Sequence, residues 1–209
     1  MALDNYSNLR AAVRSWSNDD SITEDQFNEI ISIVESDMYA TGPNPLRIKE
    51  MEFRAREATP TADRFLALPA DFLEMRRLSI VLDERLVDLT TRSPQSLVAV
   101  TSTGRPTDFS VTSQISFNRP ADEAYVLEMV YYKRLTSLSS ANPTNDILTI
   151  YPNIYFFGCV AAAYLLGGEE DKADLFNKKF MSTLIEANSA SNMGQFGPSQ
   201  TRYNACAVP

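Results

Sequence analysis

The hydrophobic period changes twice along these 209 residues. A chain that does this has to combine helical packing at its two ends with strand pairing in its middle. Near the start, Leu9, Ala12, Val13 and Trp16 fall at i, i+3, i+4 and i+7. This spacing predicts a helix from about Tyr6 to Trp16, with Trp16, the only tryptophan, as a core anchor. Thr23 and Gln26 form a capping box for a second helix, flanked by Ile22 and Phe27 as a hydrophobic staple. Phe27, Ile30, Ile31, Val34 and Met38 continue its apolar stripe, and Gly42-Pro43 ends it.

From Ile48 to Arg56 the period is two, with Met51, Phe53 and Ala55 alternating against charged residues, which predicts a half-buried strand. Further strands are expected at Phe65–Leu68, Arg76–Leu82 and Arg85–Thr90, the last two joined by a charged turn at Asp83-Glu84. Ser93-Pro94 has the form of an N-cap followed by proline at the first helical position, predicting a short helix from Pro94 to about Val100. Strands are expected again at Phe109–Val111, Ile115–Phe117 and Tyr125–Tyr132.

Helical spacing returns after the Ser-, Asn- and Pro-rich stretch from Ser137 to Asn145. Tyr151-Pro152 opens a helix running to Leu166, closed by Gly167-Gly168. The acidic Glu169, Glu170 and Asp171 suit the N-terminal dipole of a last helix, with Ala173, Phe176, Phe180 and Leu184 on one face. Beyond Ser189 no period is visible. The expected fold is α+β: a helical bundle core formed by the N- and C-terminal helices (1–45 and 137–188), a β-rich insertion (46–136) and an extended C-terminal tail (189–209).

The chemistry available to such a chain is narrow. It holds no histidine, which removes histidine-based triads and metal sites. Cys159 and Cys206 are far apart and have no metal or redox spacing. None of the seven glycines falls in a phosphate-loop pattern. The acidic groups Asp19-Asp20 and Glu169-Glu170-Asp171 read as solvated charges around helix starts, without the loop pattern of a calcium site. Arg76-Arg77 and Lys133-Arg134 are basic pairs on strands, where neighbours are expected to face opposite ways. No catalytic, cofactor or metal residue is expected, and no cofactor. The formal net charge of −8 disfavours grip on a phosphate backbone. Ile154–Leu166 is too short to span a bilayer, and Met1–Arg10 has no apolar core, so synthesis in the cytoplasm is expected.

Several segments carry a resemblance in their order. They are Tyr6, Leu9, Val13 and Trp16; the helix through Val34-Glu35; Arg47–Met51; and Leu68-Pro69-Ala70-Asp71-Phe72-Leu73-Glu74. They continue with Ser93-Pro94; Gly104–Phe109; Tyr125 through Leu135; Thr144–Leu148; and Tyr151-Pro152 with its alanine-rich helix. In this order, from about Asn5 to Asn188, the chain resembles the head-to-tail adaptor (connector) proteins of short-tailed and related tailed phages. The resemblance implies a structural, non-enzymatic subunit in the tail or neck region of the virion. It implies a homo-oligomeric ring of about twelve copies below the portal, closed by heterologous contacts. The portal protein and tail nozzle or fibre proteins would be partners, with DNA passing through the channel without sequence-specific binding and no membrane involved. Phe196, Arg202 and Tyr203, in the tail, are the expected contacts with the portal or a neighbouring subunit. Other readings are another virion part, such as a head-completion or tail-end protein, a small enzyme with a carboxylate site, or a nucleic-acid-binding regulator.

Overall fold

The structure, a computed structural model, describes residues 3–40 and 44–196. Among the described residues, five α-helices and eight strands form a mixed α+β protein that divides into two compact units. One comprises the described residues within 1–50 and from 135 onward, and the other residues 51–134.

In the helical unit, α1 (Tyr6–Ser17) starts at Asn5, whose side chain accepts the Asn8 N–H, and ends at Asn18 in the left-handed conformation. The second helix, α2 (Glu24–Ala40), has the capping box the sequence predicts. The Thr23 N–H donates to Gln26 Oε1 at 2.9 Å and the Gln26 N–H to Thr23 Oγ1 at 3.2 Å. Ile22 and Phe27 are both buried beside it. A short helix that the periodicity did not announce, α3 (Asp146–Ile150), is capped by Asn145. It leads through Tyr151 into α4 (Pro152–Leu166), which Gly167 caps and Gly168, at φ 75°, turns away. The last helix is α5 (Glu170–Phe196), with Glu170 and Asp171 in its first turn.

Apolar all round, α4 is packed by α1, α2, α3 and α5. Gly158 makes this possible, since a Cβ there would meet Val34 Cγ1 at 2.7 Å and the Phe180 ring at 3.2 Å. Leu9, Val13, Ile31, Met38, Ile154 and Leu184 are buried around it, each worth about 1.5–3 kcal/mol of transfer free energy. Glu35 is buried in the same unit, where its Oε1 accepts the Tyr155 O–H at 2.8 Å and the Leu138 N–H at 3.0 Å. These bonds satisfy one carboxylate oxygen and tie the segment before α3 to α2. Burial first, and then Glu35, push the Tyr155 hydroxyl and the Cys159 thiol upward.

Two expectations fail in this unit. Trp16 is not a core anchor: it is 57% exposed, because it lies in the last turn of α1, beyond the Leu9–Val13 stripe. The extended tail does not begin at Ser189, because α5 continues to Phe196. Asn188 and Ser191 bind the chain at Pro45–Lys49, and these tertiary bonds hold a sequence of weak helix propensity in helical form.

The β unit follows a 3-10 turn at Lys49–Met51, where an uninterrupted strand from Ile48 was expected. Its first sheet has the order β1 (Glu52–Ala58), β8 (Val126–Lys133), β3 (Phe72–Leu82), β4 (Arg85–Asp88), all antiparallel. The second has the order β2 (Phe65–Ala67), β7 (Gln114–Phe117), β6 (Asp108–Val111), β5 (Thr90–Thr91), with β5 parallel to β6. Leu78, Ile80, Leu127, Met129 and Tyr131 of the first sheet share one core with Phe109, Ile115 and Phe117 of the second. At the charged hairpin turn between β3 and β4, Asp83 and Glu84 both take positive φ, 46° and 63°, as a tight two-residue turn requires.

Being an edge strand, β1 is mostly exposed, Phe53 included, rather than half buried. The helix expected at Pro94–Val100 is a single turn. Ser96 and Leu97 both donate to the Ser93 carbonyl, and the Val100 N–H then turns to Asn118. That competing bond removes a donor that further helical turns would use.

Candidate functional site

Three features stand out, each within a single unit. The first is an aromatic surface on the helical unit. The rings of Trp16 and Phe156 meet edge to face at 5.2 Å, and Trp16 also meets Phe176 at 6.2 Å. Phe176 stacks on Tyr164 at 5.6 Å and lies 6.3 Å from Phe157. The Tyr164 hydroxyl donates to the Trp16 carbonyl at 2.7 Å, fixing the end of α1 against α4. Lys172 lies 5.2 Å over the Tyr164 ring, and Lys179 lies 5.5 Å over Phe157 and 5.8 Å over Phe176. A hydrogen bond to Glu169 raises the Lys172 pKa, so the ammonium stays charged. An exposed tryptophan on a rigid bed of rings, with cations at its rim, has the make-up of a binding hot spot. The sequence held a sign of it: Phe157 and Tyr164 repeat at i and i+7 on a helix whose other faces are already apolar.

The second feature is a groove of about 400 Å³ between α2, α4 and α5. Its floor is the small-residue row Gly158, Ala161 and Ala162, spaced i, i+3 and i+4. Three carboxylates, Asp37, Glu170 and Asp174, line it with the apolar residues.

The third is a charged network on the outer face of the first sheet. Glu128 in β8 is 1% exposed and meets Arg56 at 3.1 Å, Arg77 at 3.5 Å and Arg54 at 3.6 Å. Arg76 donates to the Tyr132 hydroxyl at 2.6 Å and lies over its ring. Arg76 and Arg77 were expected on opposite faces. A register shift between Met75 and Arg77 instead turns both to the face carrying Glu128 and Tyr132. On the other face, Lys133 lies over the Phe53 ring at 4.7 Å. Glu128 and Asp88 answer these arginines, and Glu52 and Glu74 flank Tyr132 in the register, so the network laces four strands together.

Phe196 ends α5, and its side chain, with Arg202 and Tyr203, lies outside the described residues. Asp19-Asp20 occupies the turn between α1 and α2, where hydrogen bonds from Ser21 lower the Asp19 pKa. Among the described residues no three His, Cys, Asp or Glu side chains gather as metal ligands, and no helix is long and apolar enough to cross a membrane.

These surfaces suit a protein that works by contact. The sequence profile of the SU10 adaptor protein matches residues 4–202, and the chain belongs to this family of phage adaptor proteins. The family indicates a structural adaptor role among virion components. No match was found among characterised proteins.

Proposed function

We propose that the chain is a head-to-tail adaptor subunit that forms a ring of about twelve copies below the portal, extends the DNA channel and docks tail components. The helices from both ends act as a bundle core for the ring, and the β-rich insertion and the tail residues Phe196, Arg202 and Tyr203 serve contacts with the portal or a neighbour. The observation that carries this reading is the exposed Trp16 on its aromatic bed, a rigid anchor of the kind that dominates protein–protein contacts. Charge distribution supports it. The helical unit holds 15 acidic and 8 basic residues, whereas the β unit holds 12 and 11. A wall of net negative charge lets DNA slide past rather than bind.

The test is native mass spectrometry of the chain alone and mixed with its portal. A species of about twelve subunits that forms on the portal is the expected result. Trp16→Ala should keep the fold, because the ring is largely exposed, and should lose the portal-bound species. A monomer or dimer indifferent to the portal would overturn the proposal.

A further inference from the structure

The groove between α2, α4 and α5 has lips that solvent does not explain: Ile33 is 56% exposed and Leu165 is 63% exposed. On its floor, Gly158, Ala161 and Ala162 offer only backbone and methyl groups, which lets another backbone approach closely. A narrow extended peptide with small side chains fits such a floor. Of the acidic groups Asp37, Glu170 and Asp174, Asp174 is paired with Lys178 at 2.6 Å. Asp37 has a partner of its own and Asp174 has Lys178, so among the described residues the negative charge left without a cation is Glu170.

The 13 residues after α5, Gly197 to Pro209, have complementary chemistry. Their one charged side chain is Arg202, and Ala205, Cys206, Ala207 and Val208 are small and apolar. A chain's own segment cannot make this pairing. Glu170 precedes the end of α5 at Phe196 by about 39 Å at 1.5 Å rise per residue. Arg202 is six residues beyond Phe196, about 20 Å of fully extended chain. The shortfall of about 19 Å exceeds the span of the two side chains and a hydrogen bond, about 15 Å. The cation must come from a second copy.

We infer that the α2–α4–α5 groove is the acceptor for residues 197–209 of a neighbouring copy, with Arg202 of that copy paired to Glu170. This deepens the ring reading by naming one contact between copies, but its test needs no portal, so each can fail alone.

Cysteine trapping on the full-length chain reads it directly. Cys206 lies in the donor segment, and Cys159 is buried with its thiol held protonated. Ala162→Cys adds a thiol on the groove floor. Mild oxidation should give a ladder of disulfide-linked oligomers on non-reducing gels, abolished by Cys206→Ser. Reversing the rim with Glu170→Arg and Asp174→Arg, both at exposed positions, should cut the ladder at least tenfold. Arg202→Glu alone should do the same, and combined with the rim reversal should restore it. A disulfide closed within one chain would overturn the exchange between copies. No disulfide, or one indifferent to the rim charges and to Arg202→Glu, would overturn the groove as acceptor.

Discussion

Asn188 of α5 grips the backbone at Arg47: its Oδ1 accepts the Arg47 N–H at 2.8 Å, and its Nδ2 donates to the Pro45 carbonyl at 3.0 Å. Three residues on, Ser191 Oγ accepts the Lys49 N–H at 2.8 Å. An amide side chain serving both a donor and an acceptor of one strand of backbone mimics a sheet partner. Asn188→Ala should therefore lower stability by about 1–2 kcal/mol, since two partly buried backbone groups lose their partner. Urea unfolding with an unchanged m-value would show this, and the Arg47 amide should lose exchange protection. Unchanged protection would show that the bond is not maintained in solution.

Glu128→Ala should cost about 1–3 kcal/mol. That is less than the loss of a fully buried ion pair, because the orphaned arginines are exposed enough to rehydrate. Arg56→Ala should cost no more than about 1 kcal/mol, as an exposed partner with two others remaining beside the carboxylate. Equal costs for the two substitutions would contradict this account of the network. Thermal or urea unfolding of both variants decides it.

Gly158→Ala should destabilise by about 1–3 kcal/mol, because its new Cβ meets Val34 Cγ1 at 2.7 Å and the helices around α4 cannot all retreat. Val34→Ala removes that Cγ1. The double variant should then be more stable than the sum of the single losses predicts, a coupling read from a double-mutant cycle. Simple additivity would show that the Phe180 contact, not Val34, sets the limit.

Asp108 gives a pH dependence of known sign. Hydrogen bonds from Thr107, and then from Arg92 at 2.9 Å, hold its folded-state pKa below the ordinary value. Its contribution is therefore present above the unfolded carboxylate pKa, about 3.9, and is lost as pH falls through the lower folded value. Wild type should melt above Asp108→Asn at pH 6, and the gap should close below about pH 4. A gap that widened on acidification would reverse the assignment.

Local signals in the sequence determined much of the secondary structure. Thr23 with Gln26, Tyr151-Pro152 and Gly167-Gly168 act within a turn of themselves, so helix starts and stops were legible without knowledge of any neighbour. The same holds for the charged β3–β4 turn and for the absence of histidine. Tertiary structure decided the rest, wherever a competing partner came from far along the chain. Asn118 took the Val100 N–H and held Pro94–Val100 to one turn, while Pro45–Lys49 kept residues 189–196 helical. A register shift in β3, invisible to a strict period of two, brought Arg76 and Arg77 to one face. Trp16 fitted an apolar stripe, but a stripe fixes only direction around a helix axis. How far along that axis the neighbouring helices extend decides which residue is covered, and here that left the tryptophan at the surface, where an adaptor can use it.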